Sequence, residues 1–476
     1  MLFNSYIFIL AFLPITLAGY FALNRFGRYV LGKSWLVLAS FVFYGYFNPA
    51  YLPIIVGSIV GNYALSQCML TTPRLWLRRL CFAAGLLANL GVLGYYKYYD
   101  FFVTNLNAAF GLDFVLHRLV LPLGISFFTF QQLSYVIDSY KRTVPRYNFV
   151  DYALFVTFFP QLIAGPILMH SEVVPQFANP ENRRFSVDHF AQGIYAFALG
   201  LAKKVLVADT FAKVAGYGFS PEQALNTPEA FFVVLAYTLQ LYFDFSGYCD
   251  MALGLGKMFN IDIHINFNSP YKSLNIKEFW ARWHITLSRF FSNYVYIPLG
   301  GSRKGATRTL INLLIVFVVS GLWHGAGWLF LLWGLLHGVA SVLYRLCQKR
   351  YDRLHPAFQW LLTFTFVALA WVFFNAGTMD NAMRVFGALF SMNFGPLSGA
   401  MISAFSLPFG LLRSATPTLM LLSFAGAMGM VLGCPNTYEL TARFKPTWVR
   451  AASTAVLLLL CVLSLSGVSV FLYYNF

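Results

Sequence analysis

Charge is scarce in this chain. Of its 476 residues only 11% are Asp, Glu, Lys or Arg, whereas soluble domains carry roughly 25%. With 59% hydrophobic residues and a mean hydropathy of +0.64, too little polar surface remains to cover a water-facing body. A soluble globular class is excluded, and lipid is expected to be the main solvent. Cysteine is also sparse. Cys68, Cys81, Cys249, Cys347, Cys434 and Cys461 form no C-x-x-C and mostly sit in apolar runs. They read as small buried hydrophobes, not a disulfide or zinc framework. No H-x-x-x-H or H-E-x-x-H occurs, so no metal site is expected. Residues 1–24 carry no charged side chain, so the basic n-region of a cleavable signal peptide is missing. Soluble domains, low-complexity linkers and long-period repeats are absent as well. The expectation is a single transmembrane domain over residues 1–476.

Aromatic residues are abundant, at 19% with 51 Phe, and suit lipid-facing helix surfaces and interfacial belts. The net charge is +16. Cytoplasmic loops rich in Lys and Arg explain it, and no basic domain stands outside the apolar runs to bind nucleic acid. Stretches able to cross a core of about 30 Å recur at 6–24, 34–48, 50–67, 80–96, 118–138, 150–169, 190–211, 229–258, 309–322, 326–346, 358–375, 417–434 and 451–472. Several are short or broken by Gly or Pro, which leaves about ten to twelve membrane helices plus re-entrant or interfacial ones. Arg25, Arg28 and Lys33 follow the first run, and Arg443, Lys445 and Arg450 precede the last. Both ends are therefore expected outside, with an even number of crossings. The fold class is all-α and polytopic.

Residues 270–308 hold Lys272, Lys277, Arg282, Arg289, Arg303, Lys304 and Arg308 against a single acid, Glu278. They are expected at the cytoplasmic face. Asn275 can cap a helix there, with Glu278 three residues on and paired to Arg282 at i,i+4. Trp280, Trp283, His284, Leu287 and Phe291 share one face at helical spacing. An interfacial amphipathic helix is expected, with His284 pointing inward. Pro298, Gly300 and Gly301 end it.

Inside the apolar runs, ionisable residues are costly and face cavities or polar partners. His324 lies in G-L-W-H-G-A-G-W (Gly321 to Trp328), where Gly321 and Gly325 permit close backbone approach. His337 follows in an echo, G-L-L-H-G. Thirteen positions at about 100° each put the two histidines on different faces of one continuous helix. They share a site only if the glycines break it, and His337 reads as a supporting residue. Without a nearby carboxylate or metal pattern, His324 fits a general base that takes a proton from a hydroxyl attacking an acyl carbon. Asp244 and Asp250, in Y-F-D-F-S-G-Y-C-D (Tyr242 to Asp250), must be paired, protonated or wet. They are read as ordering an unwound helix, lining a cavity, or simply pairing. Pro122 and Pro160 break further helices, as segments lining enclosed cavities do.

Four segments in this order, Y-F-D-F-S-G-Y-C-D, E-F-W-A-R-W-H-I-T-L-S (Glu278 to Ser288), Y-I-P-L-G-G (Tyr296 to Gly301) and G-L-W-H-G-A-G-W, resemble the bacterial branch of the membrane-bound O-acyltransferases. The similarity covers nearly the whole chain. It is greatest to alginate and peptidoglycan O-acetyltransferase membrane subunits, with teichoic acid D-alanyl transferases more distant. The resemblance implies a helical body around a central tunnel. It makes His324 the essential histidine and His284 a second polar position toward the cytoplasmic mouth. Trp323, Trp328, Trp283, Arg282, Asp244, Asp250 and His337 become candidates for the tunnel or substrate site. The family's aromatic tail matches Phe471 to Phe476, expected on the extracytoplasmic side. There Tyr473 is implied to hold the acyl group as a phenyl ester, although Tyr474 and Asn475 depart from the pattern and an interfacial anchor explains it equally.

The function so implied is transfer of an acetyl group from a cytoplasmic thioester, acetyl-CoA, to hydroxyls of a cell-envelope polysaccharide. The setting is a bacterial inner membrane and the transfer goes through an extracytoplasmic partner enzyme, with no bound cofactor. Two alternatives stay open. One is transfer of D-alanine or a fatty acyl group. The other is a transporter or channel, for which the expected two-fold repeat is missing.

Overall fold

The computed structural model describes residues 1–407, 415–465 and 471–472. The architecture is helical, with no strand among the described residues. Among the described residues eight helices are long and apolar enough to cross a membrane: Phe8–Arg25, Pro49–Thr71, Leu75–Phe110, Val187–Phe219, Thr227–Met258, Ala306–His324, Trp328–Tyr351 and Pro356–Asn375. Three shorter apolar helices join them, Tyr29–Gly45, Pro417–Gly433 and Trp448–Leu463. Ten to twelve crossings were expected from hydropathy, of which eight are of full length among the described residues, and the chain is a multi-pass membrane protein.

By its internal contacts the chain forms two compact units. The first comprises Met1–Ile194 with Ala252–His264. Its core is aromatic, with Phe8, Phe12 and Phe43 all packed on Phe159 at 5.3 to 6.0 Å between ring centroids. An amide network is buried in the same unit. Asn62 donates to Gln132 Oε1 at 2.8 Å, and Asn89 donates to Asn62 Oδ1 at 2.6 Å. Such groups are tolerated at this depth because each finds a partner. The two proline breaks occur here. The run expected over 118–138 becomes helical only at Ile125. The run over 150–169 splits into Phe149–Thr157 and Phe159–Leu162. Gly124 sits at φ +68°, and a Cβ there would lie 2.8 Å from the Leu162 carbonyl oxygen. Glycine thus lets the two breaks pack on one another.

The second unit comprises Tyr195–Met251 with Ile265–Phe476. The Gly-x-x-His-Gly echo is a helix crossing. Gly321 packs on Gly334, where a Cβ on either would lie 2.3 to 2.4 Å from a carbonyl oxygen of the facing helix, Phe330 or Phe317. Ala306–His324 and Trp328–Tyr351 thereby form a tight antiparallel hairpin. Pro356–Asn375 packs antiparallel on its second arm, with Trp371 stacked on Trp333 at 5.5 Å and Phe374 edge-on to Phe330 at 5.1 Å.

The single amphipathic helix expected after Asn275 is two helices, Ile276–Arg282 and Ile285–Phe291. The start is as expected, since Asn275 accepts from the Glu278 amide at 2.8 Å and Arg282 Nε donates to Glu278 at 3.0 Å. The break lies at Trp283–His284. Residues 266–268 run alongside and compete for its backbone groups. Asn268 N donates to the Arg282 carbonyl at 2.9 Å, and Ile285 N donates to the Asn266 carbonyl at 3.0 Å. Held this way, His284 takes a left-handed conformation, φ +46°. This costs a non-glycine residue about 1–2 kcal/mol and persists only where the surroundings impose it.

Candidate active site

The break at His284 and the hairpin end at His324 meet. His284 is fully buried and His324 is 2% exposed. Their imidazole centroids are 6.4 Å apart. His324 closes its helix, because the chain turns extended at Gly325 before Trp328 restarts it. This is the glycine break on which sharing a site depended. His324 is enclosed by rings: Trp323 at 4.9 Å, Trp333 at 5.0 Å and Phe374 at 5.2 Å. Trp333 also meets His337 at 4.9 Å, so one tryptophan touches both histidines of the hairpin. His337 is fully buried among Trp280, Trp333 and Phe366, and neither ring nitrogen has a hydrogen-bond partner among the described residues. That environment suits a supporting neutral imidazole.

The tautomer of His284 follows from its neighbours. Asn266 Oδ1 receives the Thr286 backbone amide at 3.2 Å and the Thr286 hydroxyl at 3.0 Å. An amide N–H only donates, so the receiving atom is the amide oxygen. His284 Nδ1, 3.2 Å from the same oxygen, therefore carries the hydrogen, which leaves the lone pair on Nε2. Burial pushes the His284 pKa down to about 3, because the charged form loses its hydration. The ring is neutral at physiological pH and able to accept a proton bond. Trp283 backs it, packed on Phe267 at 4.9 Å and Trp371 at 5.1 Å.

A cavity of about 290 Å³ lies beside this cluster, lined by neighbours of the two histidines and by neither histidine itself. Its lining is mostly apolar and comes largely from the second short helix and the first arm of the hairpin, with Trp280, Ser288, Tyr296 and Ser320 among its residues. Ser320 lies one helical turn before His324, and Trp280 touches both Trp333 and His337. Arg282, half-buried, pairs with Glu278 and donates to the Asn268 carbonyl at 3.2 Å, so it ties down the break. Trp328 is 65% exposed, outside the buried cluster. Tyr473 lies outside the described residues.

Asp244 and Asp250 are both ion-paired, as the simplest expectation had it. The helix that carries them, Thr227–Met258, is continuous and not unwound. Their partners, Lys203 and Lys204, had not been singled out in the sequence. A π-helical stretch, Lys203–Ala208, begins at these lysines. Lys203 reaches Asp250 at 2.6 Å and Lys204 reaches Asp244 at 2.5 Å. Gly200 and Gly247 bring the two helices together. A Cβ on either would lie 2.6 to 2.7 Å from the other's carbonyl oxygen. The glycine of Y-F-D-F-S-G-Y-C-D therefore allows the approach that lets its aspartates meet the lysines. Two adjacent lysines within a membrane-length run were the available signal for this pairing. For Asn266 no such signal existed.

Comparison with known proteins gives the same assignment. The profile of the membrane-bound O-acyltransferase family matches residues 114–379, a span containing His284, His324 and His337. The chain is 42% identical to the peptidoglycan O-acetyltransferase of Helicobacter pylori, over all of this chain and 98% of that protein. It is 37% identical to a Pseudomonas putida protein named "Probable alginate O-acetylase", over the full length of both. To the teichoic acid D-alanyltransferase of Bacillus subtilis it is 27% identical, over 54% of this chain and 70% of that protein. The buried histidine pair, the glycine-packed hairpin and these full-length similarities agree: this chain is an acyltransferase and belongs to the membrane-bound O-acyltransferase family.

Proposed function

We propose that the chain transfers an acetyl group from a cytoplasmic thioester, acetyl-CoA, toward hydroxyls of a cell-envelope polysaccharide. The polysaccharide is peptidoglycan or an alginate-like polymer. The enzyme works in the bacterial inner membrane and hands the group to an extracytoplasmic partner enzyme. The observation that carries this reading is the buried His284–His324 pair, 6.4 Å ring to ring, with an apolar cavity beside it lined from the basic 270–308 segment. The names of the two full-length relatives support acetyl as the group and a polysaccharide as its destination. The D-alanyl relative matches only about half of the chain at lower identity, which favours acetyl over D-alanine.

In this mechanism the lysines and arginines of 270–308 hold the anionic phosphates of the donor, and its narrow thioester arm enters the cavity. His324 accepts the proton of the attacking hydroxyl as the oxygen bonds to the acyl carbon. His284, neutral and with its lone pair on Nε2, accepts the hydrogen bond of the hydroxyl as the acceptor enters and yields that proton's direction to His324 when attack begins. The tetrahedral adduct collapses, the carbon–sulfur bond breaks, and the thiolate takes the proton back from His324. Thioester and alcohol become ester and thiol. The first acceptor is Tyr473. A phenyl ester keeps much of the thioester's transfer potential, and the acyl group then passes outward.

His324→Ala tests the reading in purified protein supplied with radiolabelled acetyl-CoA and an outer acceptor. General-base loss should lower acyl transfer by about 10²- to 10⁴-fold. Undiminished transfer would remove His324 from the chemistry. Mass spectrometry of the modified polymer identifies the acyl group.

A further inference from the structure

We infer that the buried cluster Lys204–Asp244–Asp209 is a latch for the segment Phe471–Leu472. It makes Asp244, Lys204 and Phe471 positioning residues for acyl transfer. This rests on the proposal that Tyr473, the next residue in sequence, accepts the acyl group.

The cluster is built for more than charge balance. Lys204 Nζ lies 2.5 Å from Asp244 Oδ1 and 2.9 Å from Asp209 Oδ1. The lysine side chain is 3% exposed and that of Asp244 2%. One cation against two carboxylates leaves negative charge unmatched, and Asp244 Oδ2 is not used by the lysine. That oxygen accepts the backbone amide of Leu472 at 3.0 Å, across 228 residues of sequence. A backbone amide bound to a desolvated carboxylate makes a strong, directional contact.

Two further contacts hold the same segment. The Phe471 ring lies 4.9 Å from Lys204 Nζ, within cation–π range. Its edge meets Tyr248 at 4.6 Å and 87°. Phe471 is buried by these contacts. Asp244 and Tyr248 sit one turn apart on one helix, Asp209 and Lys204 on another. Both helices are locked together by Gly200 and Gly247. The latch thus fixes Leu472 against this glycine-packed crossing.

The test uses the full-length protein in lipid nanodiscs with Phe471→Ala and Asp244→Asn. Phe471→Ala leaves the ion cluster whole, so it remains decisive if Asp244→Asn does not fold. Hydrogen exchange at the Leu472 amide should rise at least about 10-fold in each variant. Turnover of acetyl-CoA to the outer acceptor should fall in kcat with the donor KM unchanged. Phe471→Trp, which keeps the ring over the lysine, should restore both. Unchanged exchange in both variants overturns the latch. Full transfer by Tyr473→Phe overturns the relay reading and with it the positioning role, whereas the exchange result alone decides whether the latch exists.

Discussion

Around His324 the polar groups of the second unit are enclosed by rings, whereas around Lys204 they are enclosed by opposite charges. Both places are dry and both lie in apolar helices. Near His324, Trp323, Trp333 and Phe374 exclude water without offering a counter-charge. Across from it His284 is held neutral, with its pKa pushed down to about 3. Near Lys204, two carboxylates within 2.9 Å keep the ammonium matched. A neutral imidazole can take up and release a proton. An ion pair in a dry site resists any change of charge, because unpairing either partner exposes a bare buried ion. On the proposed mechanism, proton transfer falls in one region and mechanical anchoring in the other.

Cutting the charge balance should show this most strongly. Lys204→Met removes the cation from between Asp209 and Asp244 and leaves two unmatched carboxylates, one almost fully buried. A broken buried pair costs about 3–5 kcal/mol, to be read as a lowered thermal or denaturant midpoint in detergent. The same midpoint in the variant as in the parent would show that water reaches the cluster and that the comparison is false. His324→Ala, by contrast, should lose catalysis with little loss of stability.

The membrane helices and the family were legible in the sequence because hydropathy and short glycine-bounded motifs are local signals. The glycine spacing also carried the close approach: Gly321 packs on Gly334 of the next helix, the other arm of the same hairpin. What was not legible depends on distant segments. The split at Trp283–His284 arises because residues 266–268 take hydrogen bonds that a continuous helix would have kept. Helical periodicity cannot reveal that competition. Trp328 looked like a tunnel residue from its motif. Along the helix it points about 140° away from Trp333, and it is Trp333 that faces His324. The partners of Asp244 and Asp250 lie some 40 residues upstream, reached only because Gly200 and Gly247 let two helices touch.

A smaller effect sharpens the histidine side of the comparison. Asn266 Oδ1 receives three donors, His284 Nδ1, Thr286 N and Thr286 Oγ1. Asn266→Ala strands them and releases the His284 tautomer. Leaving a buried donor unsatisfied costs about 1–3 kcal/mol. Part of this should surface as lower kcat at unchanged donor KM, since the lone pair is no longer held on Nε2. If kcat is untouched while stability falls, His284 has only a structural part and His324 acts alone.

The smallest predicted effect is one of pH. His284 binds its proton near pH 3 when folded and at about 6.5 when exposed. Between these values the unfolded chain holds more protons, so the stability due to the neutral buried ring is complete above about pH 6.5 and drains away as pH falls toward 3. From about pH 7.5 to about pH 5.5 this one group should cost about 1 kcal/mol. Thermal midpoints of the parent and of His284→Gln, each measured at both pH values, isolate it: the parent should lose more on acidification than the variant. Identical acid sensitivity of parent and variant would mean that His284 meets water in the folded protein. It would then be no dry, neutral acceptor, and the contrast with the ion-paired region would fail at its catalytic end.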